Sequence, residues 1–362
     1  MRRAGLLVAL LAVSCATTGA EGEGDRDLPS VGVGPFRKLA DAEVPSVAPF
    51  LLEGRGSNYR EPAVLDDHGD TLLYAVARRD DGADVIVRTR ATDGRAFFGA
   101  GGDIGHSPAV VLVPDAPWEG GALGGPFAVR VGQEIWLYYA AAGGIGLARS
   151  SDGFSFHKEP GPIFVADPNA ARWEQSPVRA PSVVVLPDGR FRLFYASGVS
   201  IGEAESTDGL RFRRLDADVA TAELDPVLAP SAPPAPGSLA PHEKPPFDMV
   251  AVSDPSASLR TTSAGRLLVR VLYTGVTDSA VTAIGYAGRF GDTGPLTRNP
   301  VPVYSVHQGE AAPALMDRGE TSMLYVQQIR RGTSDTTYPA VAGAVAPVTV
   351  TLPAPADFPD SP

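Results

Sequence analysis

Residues 181–212 read PSVVVLPDGRFRLFYASGVSIGEAESTDGLRF. A proline opens an apolar run, Gly189 centres a turn, and a second run closes on Phe194-Tyr195, as two antiparallel strands with a reversal between them would. The turn signal Asp208-Gly209 follows, ahead of Phe212, where it would join a third strand to a fourth. The first half of the unit occurs five times. It opens at Pro62, Pro126, Pro181, Pro255 and Pro313, turns at Gly69, Gly132, Gly189, Gly265 and Gly319, and closes at Tyr74, Tyr139, Tyr195, Tyr273 and Tyr325. The Asp-Gly element recurs at residues 91–97 and 150–156. No single copy of such a unit can bury its apolar face, so copies must stack or close into a ring, and four antiparallel strands per copy make a propeller blade. The sequence predicts an all-β, five-bladed β-propeller of four-stranded blades in a single domain.

Composition agrees. With 40 Gly, 34 Pro, 44% hydrophobic residues and no long run of helical apolar spacing, an all-β chain is favoured. The net charge of -11 argues against a nucleic-acid binder, which must attract phosphates. The five histidines, His68, His106, His157, His242 and His307, show no zinc spacing, and no glycine loop of the phosphate-binding kind follows a strand and opens a helix.

The start of the chain reads as a targeting segment. Arg2 and Arg3 precede nine apolar residues, 5–13, and the single cysteine, Cys15, follows Ser14. Nine residues fall short of the about 20 that span a bilayer. Residues 1–14 resemble a bacterial lipoprotein signal, which implies lipidation of Cys15, although Ala12 stands where such signals most often have Leu; ordinary secretory cleavage is the alternative. Ala16 after the cysteine resembles lipoproteins of the outer membrane. The resemblance implies an exported, lipid-anchored protein, with a secreted or periplasmic one as the alternative, touching the membrane only through its lipid. Residues 15–35 then form a flexible tether, 36–352 the propeller, 229–246 a proline-rich insertion loop that could shape a cleft, and 353–362 a disordered tail. A strand at residues 36–39 would protect an open edge of the last blade if it paired beside 348–352. A monomer is expected.

In a propeller the first strand of each blade lines the central channel, so the residues before the five prolines converge on one mouth. That places Glu61, Asp254 and Glu310 around an axial pocket, with Arg60 and Arg179 between them and Tyr59 beside them. Trp118-Glu119, Trp173-Glu174 and Phe247-Asp248 each lie eight residues before a proline. Rings beside acids suit a sugar, by stacking and by binding hydroxyls, but equally suit packing between blades. The candidate ligand contacts are Tyr59, Arg60, Trp118, Trp173, Glu174 and Arg179; the candidate catalytic residues are Glu61, Asp254 and Glu310. No cofactor and no metal site is assigned, since the ligands of a channel calcium cannot be counted from spacing.

These features, over residues 59–341, resemble the five-bladed propeller glycosidases of the arabinanase, xylosidase, invertase and levansucrase type, with the nearest likeness in residues 162–197. The resemblance implies a carboxylate base or nucleophile before the first inner-strand proline, an Asp on the third blade that tunes the acid, and a Glu general acid on the fourth. The matching positions here are Glu61, Ala180 and a place near Asp254. Ala180 supplies no charge, and Arg179 beside it would lower a neighbouring carboxyl's pKa. Three readings stay open: a glycosidase using Glu61 with Asp254 or Glu310; an anion site on Arg60 and Arg179 for phosphate or a uronic acid, including phosphorolysis; and a non-catalytic protein that binds a glycan or a partner protein, or whose channel charges are structural.

Overall fold

The computed structural model describes residues 34–39, 51–54, 56–97, 108–167, 172–239, 244–261, 265–277, 281–305, 309–318, 321–331 and 337–347. The chain enters through β1 (Arg37–Lys38). Blade I is β2 (Arg60–Asp67), β3 (Asp70–Arg78), β4 (Asp84–Ala91) and β5 (Ala109–Leu112). Blade II is β6 (Gly124–Val131), β7 (Glu134–Ala141), β8 (Gly144–Ser150) and β9 (His157–Lys158). Blade III is β10 (Arg179–Val185), β11 (Phe191–Ser197), β12 (Ser200–Ser206) and β13 (Arg213–Leu215). Blade IV is β14 (Ala251–Thr261), β15 (Leu267–Val276), β16 (Thr282–Phe290) and β17 (Thr297–Arg298). Blade V is β18 (Ala311–Arg318), β19 (Thr321–Arg331) and β20 (Thr337–Pro347), with β1 as its outer strand. All five sheets are antiparallel, and β18 packs against β2 to complete the five-bladed propeller.

The ring is closed by its first strand, with Arg37 opposite Val345 and Lys38 opposite Ala344. The partner is therefore β20; residues 348–352, Gly319, His106 and His307, the signal segment with Cys15, and the tail 353–362 lie outside the described residues. The third-strand turns obey their sequence signal. Asp152 Oδ1, for instance, accepts the backbone N–H groups of Phe154 and Ser155 at 2.8 and 2.7 Å, and these bonds to the charged form hold its carboxyl well below the usual range. The Phe of each Asp-Gly element stands ahead of the fourth strand and reaches back to the preceding blade. Phe156 meets Tyr74, Phe212 meets Tyr138 and Phe97 meets Tyr325, all edge to face.

Those contacts separate the tyrosines of the second strands, Tyr138 included, into two sets. Tyr74, Tyr138 and Tyr325 stand opposite Ala63, Phe127 and Ala314. Their hydroxyls donate to the carbonyls of Gly153, Gly209 and Gly94 in the Asp-Gly turns of the next blade, at 2.9, 3.0 and 2.9 Å. Tyr139, Tyr195 and Tyr273 sit one residue later in their strands, because Ser182 pairs with Phe194 and Ser256 with Leu272. One residue along a strand reverses the face, so this second set points elsewhere. Phe194 and Leu272 have no hydroxyl to offer, and charge takes over at those two joints. Between blades III and IV the buried Arg192 and Arg289 share Glu203; between IV and V, Arg270 meets Asp317 at 2.8 Å.

Every inner strand slips register at its start, between Arg60 and Ala63, Gly124 and Phe127, Arg179 and Ser182, Ser253 and Ser256, and Ala311 and Ala314. The extra residue is the one before the proline. Glu61, Gly125, Ala180, Asp254 and Ala312 have φ of 52°, 49°, 48°, 49° and 48°. Proline cannot donate to the ladder, so a bulge is accommodated there. Four of the five are not glycine, and each stores strain on the order of 1–3 kcal/mol. Gly125 is required for a different reason: a Cβ there would stand 2.9 Å from the Cα of Ala180.

Candidate functional site

The five bulges turn their residues toward the axis at one end of the channel. Glu61, Gly125, Ala180, Asp254 and Ala312, each with its proline, surround a cavity of about 50 Å³ with an open mouth, whose wall also takes in Val64, Phe127 and Leu315. Among the described residues, Glu61 and Asp254 are the ionisable side chains lining it.

Glu61 is held from two sides. Its Oε2 accepts the Gly125 N–H at 2.5 Å, and its Oε1 lies 3.4 Å from Arg60 Nε. Enclosure by the ring pushes its carboxyl pKa up, the Gly125 N–H and Arg60 oppose that, and the negative charges of Asp254 and Asp84 add to it; the net direction is upward. Asp254 takes the Ser253 hydroxyl on Oδ2 at 2.9 Å, and Arg179 Nη1 stands 3.7 Å from Oδ1. Arg179 is 45% exposed and otherwise donates to the Gly198 carbonyl at 3.3 Å, so it remains largely uncommitted at the rim. Arg60 is committed to Asp84, at 2.7 Å.

The other sequence candidates lie elsewhere. Glu310 precedes the bulge of blade V by two residues, the bulge itself being Ala312; it is fully buried and accepts from Gln328 Nε2 at 3.2 Å. The glycosidase pairing of Glu61 with Glu310 is thus not formed at the cavity. Tyr59 is buried in the apolar core between blades V and I.

Glu174, Trp173 and Trp118 belong to a unit repeated in three blades, where the second set of tyrosines points. Glu119, Glu174 and Asp248, all fully or nearly fully buried, accept the hydroxyls of Tyr139, Tyr195 and Tyr273 at 2.8, 3.1 and 2.8 Å. Each is neutralised by a cation from the outer strand: Lys158 at 2.7 Å, Arg214 at 2.7 Å and Arg298 at 2.6 Å. The ring preceding each acid stacks on the same tyrosine, Trp118 on Tyr139, Trp173 on Tyr195 and Phe247 on Tyr273. The acids are consumed by the scaffold, and none of these side chains lines the axial cavity. Lys38 opposite Ala344 takes the same place in blade V that Lys158, Arg214 and Arg298 take opposite Ala148, Ala204 and Ala287. The proline-rich loop begins on this outer side. Arg298 binds Ser231 Oγ at 2.6 Å, and its described residues do not line the cavity.

Sequence reading passed over Asp84, which acts on Glu61 by its charge and through its ion pair with Arg60. The available signal was a carboxylate at the head of β4, directly before the apolar run Val85-Ile86-Val87.

No protein-family model and no curated protein sequence matches the chain. Solved structures do match. A glycosyl hydrolase from Bacteroides ovatus superposes with a TM-score of 0.58 at 14% identity, covering 87% of this chain and 96% of that one. The β-1,2-mannobiose phosphorylase of Listeria innocua, in complex with β-1,2-mannobiose, gives 0.55 at 15%, covering 89% and 95%. An exo-1,5-α-L-arabinanase from a bovine ruminal metagenomic library gives 0.53 at 11%, covering 80% and 95%. The fold is that of the glycoside hydrolase-like five-bladed propellers.

Proposed function

We propose that this is an exported, lipid-anchored, carbohydrate-active protein that cleaves a glycosidic bond in the axial cavity, with Glu61 as proton donor and Asp254 as its carboxylate partner. The observation that carries the reading is that these two carboxyl groups, from blades I and IV, are the ionisable side chains lining one cavity among the described residues. A glycosidase needs one carboxyl that keeps its proton and one that does not. Enclosure raises the pKa of Glu61, and Asp254 accepts the Ser253 hydroxyl and stands beside Arg179. The likeness to glycoside hydrolases and a mannobiose phosphorylase supports a glycan as ligand.

The second reading is a non-catalytic glycan binder. It is favoured by Ala180, which leaves the third blade without a carboxylate at the cavity. A screen of aryl glycosides of arabinose, xylose, fructose and mannose, with and without phosphate, separates the two. Turnover by the wild type that is lost in Asp254→Asn supports catalysis; Asn suits the left-handed backbone at this position, so the variant should fold. No turnover on any substrate, together with retention on a polysaccharide affinity gel, supports binding. For the anchor, Cys15→Ala should abolish incorporation of labelled palmitate and move the protein from membrane to soluble fractions; a wild type that takes up no label would refute lipidation.

A further inference from the structure

We infer that Asp84 is a positioning residue of the axial site: it draws the Arg60 guanidinium toward the head of β4 and so keeps that cation from closing on the Glu61 carboxyl. The inference rests on the role proposed for Glu61.

Arg60 and Glu61 are neighbours at the bulge, where the left-handed turn sends Glu61 to the axis. The Arg60 guanidinium lies between Glu61 and Asp84 at the head of β4. Its Nη2 is 2.7 Å from Asp84 Oδ2, against 3.4 Å from its Nε to Glu61 Oε1. Coulomb attraction and hydrogen-bond quality both favour the shorter contact. Asp84 is itself firmly placed. It is 8% exposed, its other oxygen takes Arg78 Nη1 at 3.1 Å, and its carbonyl accepts the Leu123 N–H at 3.0 Å. Its buried carboxylate is thus held between two arginines at the end of the blade.

The charged groups acting on Glu61 are Arg60 from its own strand, Asp84 from β4 and Asp254 from β14, with the Gly125 N–H contributed by β6. Arg78 lies behind Asp84 and Arg179 behind Asp254. Ala180 offers no acid that could hold the Glu61 proton by like charge. Asp84 performs that task indirectly: its charge disfavours ionised Glu61, and its grip limits the cation that would favour it.

The test is a titration of the Glu61 carboxyl by its 13C shift, assigned by its absence in Glu61→Gln. Asp84→Asn keeps the shape, removes the negative charge and releases Arg60. Both changes favour ionised Glu61, so its midpoint should fall by about one pH unit, while Asp84→Glu should hold it near the wild-type value. In an Arg60→Gln background the same Asp84→Asn step should shift the midpoint by less than about a third as much, since the two residues act as one unit. No shift, or an equal shift in both backgrounds, would overturn the inference. Where the glycoside screen gives turnover, the alkaline limb of the pH–rate profile should move down with the midpoint. If the screen gives none, the hydrolytic reading falls while the titration still decides the role of Asp84.

Discussion

Glu61→Gln is expected to lower turnover of whichever glycoside responds by about 10²- to 10⁴-fold, the usual worth of a positioned proton donor, while Tm stays within about 2 °C of the wild type. Glutamine matches glutamate in size, keeps an oxygen to accept the Gly125 N–H, and loses the proton. The stability part follows from linkage. A carboxyl whose pKa is raised by folding stabilises the folded state fully below its unfolded pKa, and that contribution is lost as pH rises through the folded value. Above that window the ionised Glu61 is a burden that glutamine does not carry, so the variant should gain stability relative to the wild type as pH rises. The same sign predicts that wild-type activity declines on the alkaline side as Glu61 loses its proton. Kinetics with thermal melts across pH check both. Unchanged turnover would remove Glu61 from the reaction, and a fall in Tm of many degrees would make it part of the scaffold.

Glu174→Ala should do the reverse. Glu174 is fully buried, and its loss leaves the buried Tyr195 hydroxyl without its acceptor and the partly exposed Arg214 guanidinium with the Val165 carbonyl in place of its carboxylate. Removing one partner of a buried ion pair costs about 3–5 kcal/mol, a large share of the roughly 5–15 kcal/mol that keeps a domain folded. Denaturant unfolding should show that loss, and the fraction still folded should retain wild-type turnover or glycan retention. A variant that melts normally but no longer binds glycan would return Glu174 to the ligand site.

The contrast between these two glutamates marks how far the sequence could be read. The ring was legible because each proline both opens an inner strand and fixes the bulge before it, so Glu61 and Asp254 could be placed at the axis from their position alone. Glu310 could not, since it stands two residues from the bulge and only backbone conformation separates it from Ala312. The tyrosine sets were merged because Tyr138 and Tyr139 are adjacent and equally aromatic, and one residue of register decides which face each one serves. Trp173-Glu174 has the composition of a sugar site; its neutralising Arg214 comes from a strand forty residues on, a pairing that local pattern does not carry. The pairing of Arg60 with Asp84 is hidden for the same reason, since it joins the two across a blade rather than along a strand.

The closing strand gives this ring an order of assembly. β1 is made almost first, and its partner positions, Ala344 and Val345, almost last. Blades I to IV can each pair their own strands as they emerge, but β1 has no partner until β20 is made, so the ring closes only when nearly all of the strands are available. Contacts so distant in sequence are slow to form. Until then the edge of β20 stays open to other chains, so a chaperone that shields that edge should raise the yield of closed rings more than one that acts on any earlier blade.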